Sequence, residues 1–215
     1  MERIEELGDG LKIIQNKDLY TFTSDSVILA NFITLKKKEK AVEIGTGSGV
    51  ISILVGHRSG DIVAFEVQKS LADMAIRSLE LNSIDNIKII NDKVQNFKEY
   101  VSPDSFDVVF SNPPYKKKGT SFLNENESRA IARHEIELDL NDLVKCASSL
   151  LKTKGRFYVM YDANRAPEII CKLKEFNLEP KEMFFTYPDK KDEAVLVVIK
   201  AVKGAAEGCI VRRQK

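Results

Sequence analysis

Two hydrophobic periods alternate along most of the chain and predict its secondary structure. Short apolar runs rich in Val, Ile and Phe are typical of buried strands, and longer runs with apolar residues every three or four positions are typical of helices. Strands are predicted at 41–44, 61–66, 86–90, 106–110, 156–160, 182–187 and 194–201, with helices after residue 48 and at 70–82, 140–152 and 167–176. This alternation predicts a mostly parallel sheet that is covered by helices on both faces.

The two ends of the chain add antiparallel elements to this α/β pattern. Residues 2–14 predict a β-hairpin around Gly8-Asp9-Gly10, and residues 23–26 offer Ser and Asp as caps for a helix that follows. The last two strands predict a second hairpin, which makes the seven-stranded sheet typical of methyltransferases rather than of plain dinucleotide-binding proteins. We expect one domain over 1–215, with an N-terminal extension (1–35), a Rossmann-like core (36–202) and a basic tail (203–215).

Composition narrows the class of protein without identifying it. Of 215 residues 43% are hydrophobic and 30% are charged, which is typical of a soluble globular domain. The net charge of +1 means that nucleic-acid binding would depend on local basic clusters. Cys146, Cys171 and Cys209 are widely spaced, which argues against a zinc site or a disulfide framework. The charged first residues lack a signal-peptide core, so we expect a cytoplasmic protein with no membrane span and no metal.

Three glycines follow the first strand of the alternation at two-residue spacing: Gly45, Gly47 and Gly49. Open α/β sheets bind ligands at this end of a strand, although an ordinary strand-to-helix turn is the simpler interpretation. Diphosphate-binding loops have the spacing Gly-x-Gly-x-x-Gly, and here Glu43 precedes the first glycine. A carboxylate would repel a diphosphate but suits the α-ammonium of a methionine moiety, directly or through water. The loop therefore predicts S-adenosylmethionine as the cofactor.

Two acids after the next strands extend this prediction. Glu66 ends the second strand and can accept both ribose hydroxyls of a cofactor, while Asp92 follows the third strand and can accept the adenine amino group. The backbone N–H of Lys93 or Val94 would then serve a ring nitrogen. Taken alone, Glu66 is equally typical of a surface acid at the end of a strand, and Asp92 is more typical of a turn residue than of a ligand. Because the three loops follow successive strands, we expect them to line one rim of the sheet.

The most specific motif is Asn112-Pro113-Pro114-Tyr115, directly after a buried strand. Consecutive prolines fix φ and remove two N–H donors, which makes the loop stiff. An adenine amine or an amide nitrogen delocalises its lone pair, which must be directed at a methyl sulfonium before it can attack. The Asn112 side-chain oxygen and the Pro113 carbonyl can each accept one N–H of that nitrogen, and Tyr115 offers a flat face for a base. These four residues are the predicted catalytic residues, and Asn112 is expected to border the cofactor as well.

Taken together, four segments resemble the bacterial tRNA(Val) adenine-37 N6-methyltransferases, a family of class I S-adenosylmethionine-dependent enzymes. They are residues 22–30, 43–49, 112–115 and 129–135, and the first and last are narrower signatures than the other two. The resemblance covers nearly the whole chain. It implies a Rossmann-like fold, methylation of N6 of the adenine beside the anticodon, and a tRNA as the partner. It also implies that the region of Thr23 closes over the methionine end of the cofactor.

Basic residues that follow the Asn-Pro-Pro-Tyr motif are candidates for RNA binding. Side chains so close to a base-binding tyrosine can meet phosphates, and such contacts dominate nucleic-acid affinity. Each charge taken alone is more typical of a solvated surface. The candidates are Lys116, Lys117, Lys118, Arg129, Arg133 and His134.

Other functions are compatible with parts of the sequence. Glutamine-N5 methylation of a release factor uses the same four-residue motif, but those enzymes generally carry a helical N-terminal recognition domain, and only about two dozen residues precede the first helix here. Guanine-N2 methylation of ribosomal RNA usually has Phe in place of Tyr115. An RNA-binding protein without catalysis would not need an intact motif. The glycine spacing disfavours a dehydrogenase.

Overall fold

In the computed structural model, which describes residues 1–17, 19, 24–58, 60–113, 138–188 and 192–213, the N-terminal segment forms the predicted hairpin. Strands β1 (Glu2–Gly8) and β2 (Leu11–Asn16) pair in antiparallel register. Alternate residues of β2 are buried: Leu11, Ile13 and Gln15. A hydrogen bond joins this strand to the helix at Lys69–Leu81, in which Ser78 Oγ accepts the Ile14 N–H at 3.0 Å.

The rest of the first compact unit, Met1–Val101, alternates strands and helices as predicted. Its three-stranded parallel sheet has the order β3 (Lys40–Ile44), β4 (Asp61–Phe65) and β5 (Ile87–Ile90). All of β3 except its first residue is buried, as expected for a parallel strand covered on both faces. The elements are α1 (Ser24–Phe32), β3 (Lys40–Ile44), α2 (Val50–Gly56), β4 (Asp61–Phe65), α3 (Lys69–Leu81), β5 (Ile87–Ile90) and a 3₁₀ helix (Val94–Glu99).

The register of this sheet aligns the carboxyl ends of its strands. Ile44, the last residue of β3, pairs with Phe65, the last residue of β4, and Phe65 pairs with Ile90 at the end of β5. The residues that follow each strand therefore emerge side by side at one edge. This confirms, within the first unit, the parallel arrangement that the alternation predicted.

The second unit, Ser102–Lys215, holds a five-stranded mixed sheet among the described residues. Its strand order is β10 (Ile210–Arg213), β8 (Leu178–Thr186), β9 (Leu196–Lys203), β7 (Leu151–Asp162) and β6 (Phe106–Ser111). Strands β6 and β7 are parallel, and the β8–β9 hairpin runs antiparallel beside β7. The predicted fold class, α/β with parallel strands and an antiparallel C-terminal hairpin, is confirmed. Its elements are β6 (Phe106–Ser111), α4 (Leu140–Leu150), β7 (Leu151–Asp162), a 3₁₀ turn (Ala163–Arg165), α5 (Ala166–Glu175), β8 (Leu178–Thr186), β9 (Leu196–Lys203) and β10 (Ile210–Arg213).

The structure differs from the prediction in the residues assigned to a basic tail. Strand β9 runs to Lys203, and β10 adds a further strand that pairs in parallel with β8. Four residues with two adjacent arginines carry little periodic signal, so the strand depends on the backbone groups that the edge of β8 presents to it. Within the residues described, no helix has the length and apolar character needed to cross a membrane.

Candidate active site

The glycine loop is held against the end of β4 by backbone hydrogen bonds. The N–H groups of Gly45 and Thr46 both donate to the Phe65 carbonyl, at 2.9 and 3.0 Å. Gly49 has a φ of 95°, and a Cβ added there would lie 3.2 Å from the Cβ of Ala75. Only glycine adopts that backbone conformation without strain, so the loop geometry explains why glycine occupies position 49.

Glu43 is fully buried, and its two carboxylate oxygens have different surroundings. Oε2 accepts the Thr46 hydroxyl at 2.6 Å and the Ser52 N–H at 3.1 Å, and it also accepts the Ser52 hydroxyl. Oε1 is buried with no hydrogen-bond partner among the described residues. Burial raises the pKa of Glu43 to about 7, against the opposing effect of the Ser52 and Thr46 hydrogen bonds. A buried acid with one unsatisfied oxygen fits a cationic donor such as an α-ammonium group.

Glu66 is also buried and ties the glycine loop to the turn after β4. Its Oε2 accepts the Gly47 N–H at 2.8 Å, and its Oε1 accepts the Gln68 N–H at 2.8 Å. Asn91 supports the same turn, because its side-chain amide donates to the backbone carbonyls of Glu66 and Val67. Each carboxylate oxygen can accept more than one hydrogen bond, so this geometry is compatible with two ribose hydroxyls as further donors.

Asp92 stands at the same edge, at the start of the 3₁₀ helix that follows β5. Its Oδ1 accepts the Lys93 N–H at 2.7 Å and the Asn96 amide at 3.0 Å, while Oδ2 accepts the Tyr100 hydroxyl at 2.9 Å. The Tyr100 hydrogen bond is the main reason that the pKa of Asp92 is lowered. Asp92 thus already accepts the Lys93 N–H, one of the two N–H groups predicted for an adenine ring nitrogen.

Asn112 and Pro113 belong to the second unit and directly follow β6. Asn112 is half-buried and Pro113 is buried, at the carboxyl end of a strand whose last residue, Ser111, pairs with Val159 of β7. The motif therefore begins directly after a buried strand, as predicted. The remaining site predictions lie outside the described residues: Thr23, Pro114, Tyr115, Lys116, Lys117, Lys118, Arg129, Arg133 and His134.

Several polar residues of this edge were not predicted from the sequence. Thr46 and Ser52 bind Glu43, and Asn91 supports the Glu66 turn. Tyr100 binds Asp92 and meets the Phe65 ring edge-on, with ring centroids 6.0 Å apart. Among the polar residues that were not predicted, Gln15 has the clearest signal in the sequence, because it is a polar residue at an otherwise apolar position of β2.

An α/β sheet whose carboxyl edge carries an acid, a glycine loop and two further acids has the architecture of an S-adenosylmethionine-type methyltransferase domain. The chain belongs to the methyltransferase small domain family, whose model matches residues 21–176.

Curated relatives show which methyltransferases this chain is similar to. A Bacteroides thetaiotaomicron protein named tRNA1(Val) (adenine(37)-N6)-methyltransferase is 30% identical over 159 residues, which cover 72% of this chain and 65% of the relative. A Flavobacteriaceae bacterium protein of the same name is 25% identical over 198 residues, which cover 84% of this chain and 82% of the relative. The chain thus spans less than two thirds of the Bacteroides relative's length. These similarities confirm the resemblance predicted from the sequence.

Solved structures with low sequence identity share the fold. A predicted O-methyltransferase from Agrobacterium tumefaciens has a TM-score of 0.69 at 20% identity, over 87% of this chain and 85% of that one. Geranyl diphosphate C-methyltransferase from Streptomyces coelicolor, in complex with S-adenosyl-L-homocysteine, has a TM-score of 0.61 at 12% identity, over 84% and 80%. At these identities the similarity shows a shared fold.

Proposed function

We propose that this protein transfers a methyl group from S-adenosylmethionine to N6 of an adenine in tRNA, at position 37 beside the anticodon. The observation that carries the cofactor assignment is Glu43, whose buried Oε1 lacks a hydrogen-bond partner among the described residues at the ligand-binding edge of the sheet. The tRNA assignment is supported by the names of the curated relatives.

Each part of the cofactor has a matching group at this edge. Glu43 would hold the α-ammonium, and the glycines at 45, 47 and 49 would let the loop backbone approach the methionine moiety. Glu66 would accept the ribose hydroxyls, and Asp92 with the Val94 N–H would bind the adenine ring. By resemblance, Thr23 would close over the methionine end. The sulfonium supplies the electrophilic methyl group.

Asn112 and Pro113 would orient the target nitrogen. Their two oxygens accept its two N–H groups and hold its lone pair towards the methyl group, so the contribution is positioning rather than proton abstraction. Pro114 would keep the loop stiff, and Tyr115 would stack on the adenine. Removal of the Asn112 oxygen should therefore slow transfer without weakening the binding of the cofactor.

The basic residues Lys116–Lys118, Arg129, Arg133 and His134 would contact the phosphates of the anticodon arm. A cytoplasmic location is part of the same proposal, because tRNA is the substrate. The sequence leaves glutamine-N5 methylation of a release factor and guanine-N2 methylation of ribosomal RNA as the competing assignments.

The test is incubation of the purified protein with isotopically labelled S-adenosylmethionine and total RNA, followed by nucleoside mass spectrometry. The expected product is labelled N6-methyladenosine in the tRNA fraction. The Asn112→Ala variant should form far less of it, although that variant binds cofactor like the wild type. Labelled N2-methylguanosine in ribosomal RNA would refute the adenine assignment. In a parallel reaction to which release factor is added, a label found only in that protein would support the glutamine alternative instead.

A further inference from the structure

Gln15 occupies a position in β2 where the strand pattern calls for an apolar side chain. The strand buries Leu11, Ile13 and Gln15 on one face, and Gln15 is completely buried. Burying an amide group without hydrogen bonds is costly, so a glutamine at such a position has to be compensated by specific contacts. Those contacts indicate what the residue does.

The Gln15 amide connects the N-terminal hairpin to the glycine loop. Its Nε2 donates to the Ile14 carbonyl at 3.2 Å and to the Ser48 hydroxyl. Ser48 is buried and lies between Gly47 and Gly49, which both have positive φ. The serine is therefore a non-glycine anchor in the middle of a backbone segment that would otherwise have wide conformational freedom.

The hairpin has separate attachments to α3. The Ile14 N–H donates to Ser78 Oγ at 3.0 Å, and Asn82 exchanges hydrogen bonds with the backbone of Lys12 at 2.8 and 2.6 Å. These bonds hold the hairpin in place without touching the glycine loop. The loop contact of Gln15 can therefore be removed while the hairpin remains docked on α3.

We infer that Gln15 is a positioning residue that holds Ser48, and with it the glycine loop, in the conformation that binds the cofactor. The inference rests on the proposed use of S-adenosylmethionine at this loop. Fixing the loop in advance reduces the entropy that cofactor binding would otherwise have to overcome. The N-terminal hairpin thereby becomes part of the cofactor site, although it is distant from the glycines in sequence.

The test compares Gln15→Leu with the wild type. Leucine has a similar volume and restores the apolar pattern of β2, so the free energy of unfolding measured in urea should fall only by the contribution of the lost hydrogen bonds. The Kd for S-adenosylhomocysteine, measured by calorimetry, should rise about tenfold, as expected for the loss of one buried hydrogen bond that orders the loop. In the methylation assay, KM for S-adenosylmethionine should rise while kcat at saturation stays near wild type.

Two further variants separate positioning from general stability. Ser48→Ala should weaken binding to the same degree, and the Gln15→Leu/Ser48→Ala double variant should be no weaker than either single variant, because both remove the same bond. Ser78→Ala, the matched control, removes the acceptor for Ile14 and should lower stability but leave the Kd unchanged.

Equal affinity of wild type and Gln15→Leu would overturn this inference and leave the proposed function intact. Additive losses in the double variant, or an equal loss of affinity in Ser78→Ala, would likewise overturn it. A wild-type protein that bound no S-adenosylhomocysteine would overturn the proposed function, and this inference with it. If Gln15→Leu failed to fold, Ser48→Ala would decide the question alone.

Discussion

The burial of Glu43 predicts a dependence of stability on pH that a single substitution should remove. Burial raises the pKa of this carboxyl from 4.5 to about 7. The folded protein therefore keeps a proton that the unfolded chain releases, and the resulting stabilisation is present below about pH 4.5 and lost as the pH rises to about 7. The full loss corresponds to about 3 kcal/mol.

Glu43→Gln replaces the acid by a neutral side chain of nearly equal size. Glutamine imitates the protonated acid, so the stability of the variant should not depend on the ionisation of this residue. Relative to the wild type, the variant should gain roughly 2–3 kcal/mol between about pH 5 and about pH 8. The measurement is urea unfolding of both proteins across this pH range. Taking the difference between them cancels the titrating groups that do not interact with Glu43. Glu66, whose charge also raises the pKa of Glu43, is coupled to it and contributes to the difference.

Cofactor binding should oppose the loss of wild-type stability with rising pH. An α-ammonium beside Oε1 favours the ionised carboxylate, so saturation with S-adenosylhomocysteine should flatten the wild-type pH dependence. The affinity of the wild type should rise between about pH 6 and about pH 7.5, and that of Glu43→Gln should not. If the free energies of unfolding of the two proteins changed equally with pH, the reasoning about the burial of Glu43 would be refuted. If saturation with S-adenosylhomocysteine flattened the pH dependence of both proteins, the α-ammonium would bind elsewhere than at Glu43.

Two further substitutions test the same edge of the sheet. Glu66→Ala removes the acceptor of two backbone N–H groups and of the proposed ribose contact, so calorimetry should show a loss of affinity of roughly 100-fold; unchanged affinity would contradict the ribose assignment. Gly49→Ala places a Cβ at a φ of 95° and 3.2 Å from the Cβ of Ala75, and urea unfolding should show a loss of about 1–3 kcal/mol. Gly204→Ala is its control, because Gly204 has a φ of 64° and its nearest contact lies at 3.8 Å, so a smaller loss is expected.

The sequence by itself determined the order of the α-helices and of the strands up to β9, and the loops that carry the candidate chemistry. Hydrophobic period is a local property, so β3, β4 and β5 could be located from a few residues each, and the loops at Gly45, Glu66 and Asp92 followed from them. The prediction of a stiff loop at 112–115 is likewise local, because proline restricts its own backbone and that of its neighbour.

Only the tertiary structure decided how those residues are held. The pKa of Glu43 depends on the exclusion of water by several elements, and the hydrogen bond from Gln15 to Ser48 joins residues 33 positions apart. The parallel pairing of β10 with β8 similarly depends on an edge formed elsewhere in the chain. Burial, electrostatics and long-range hydrogen bonds arise from residues that are distant in sequence, and no local pattern encodes them.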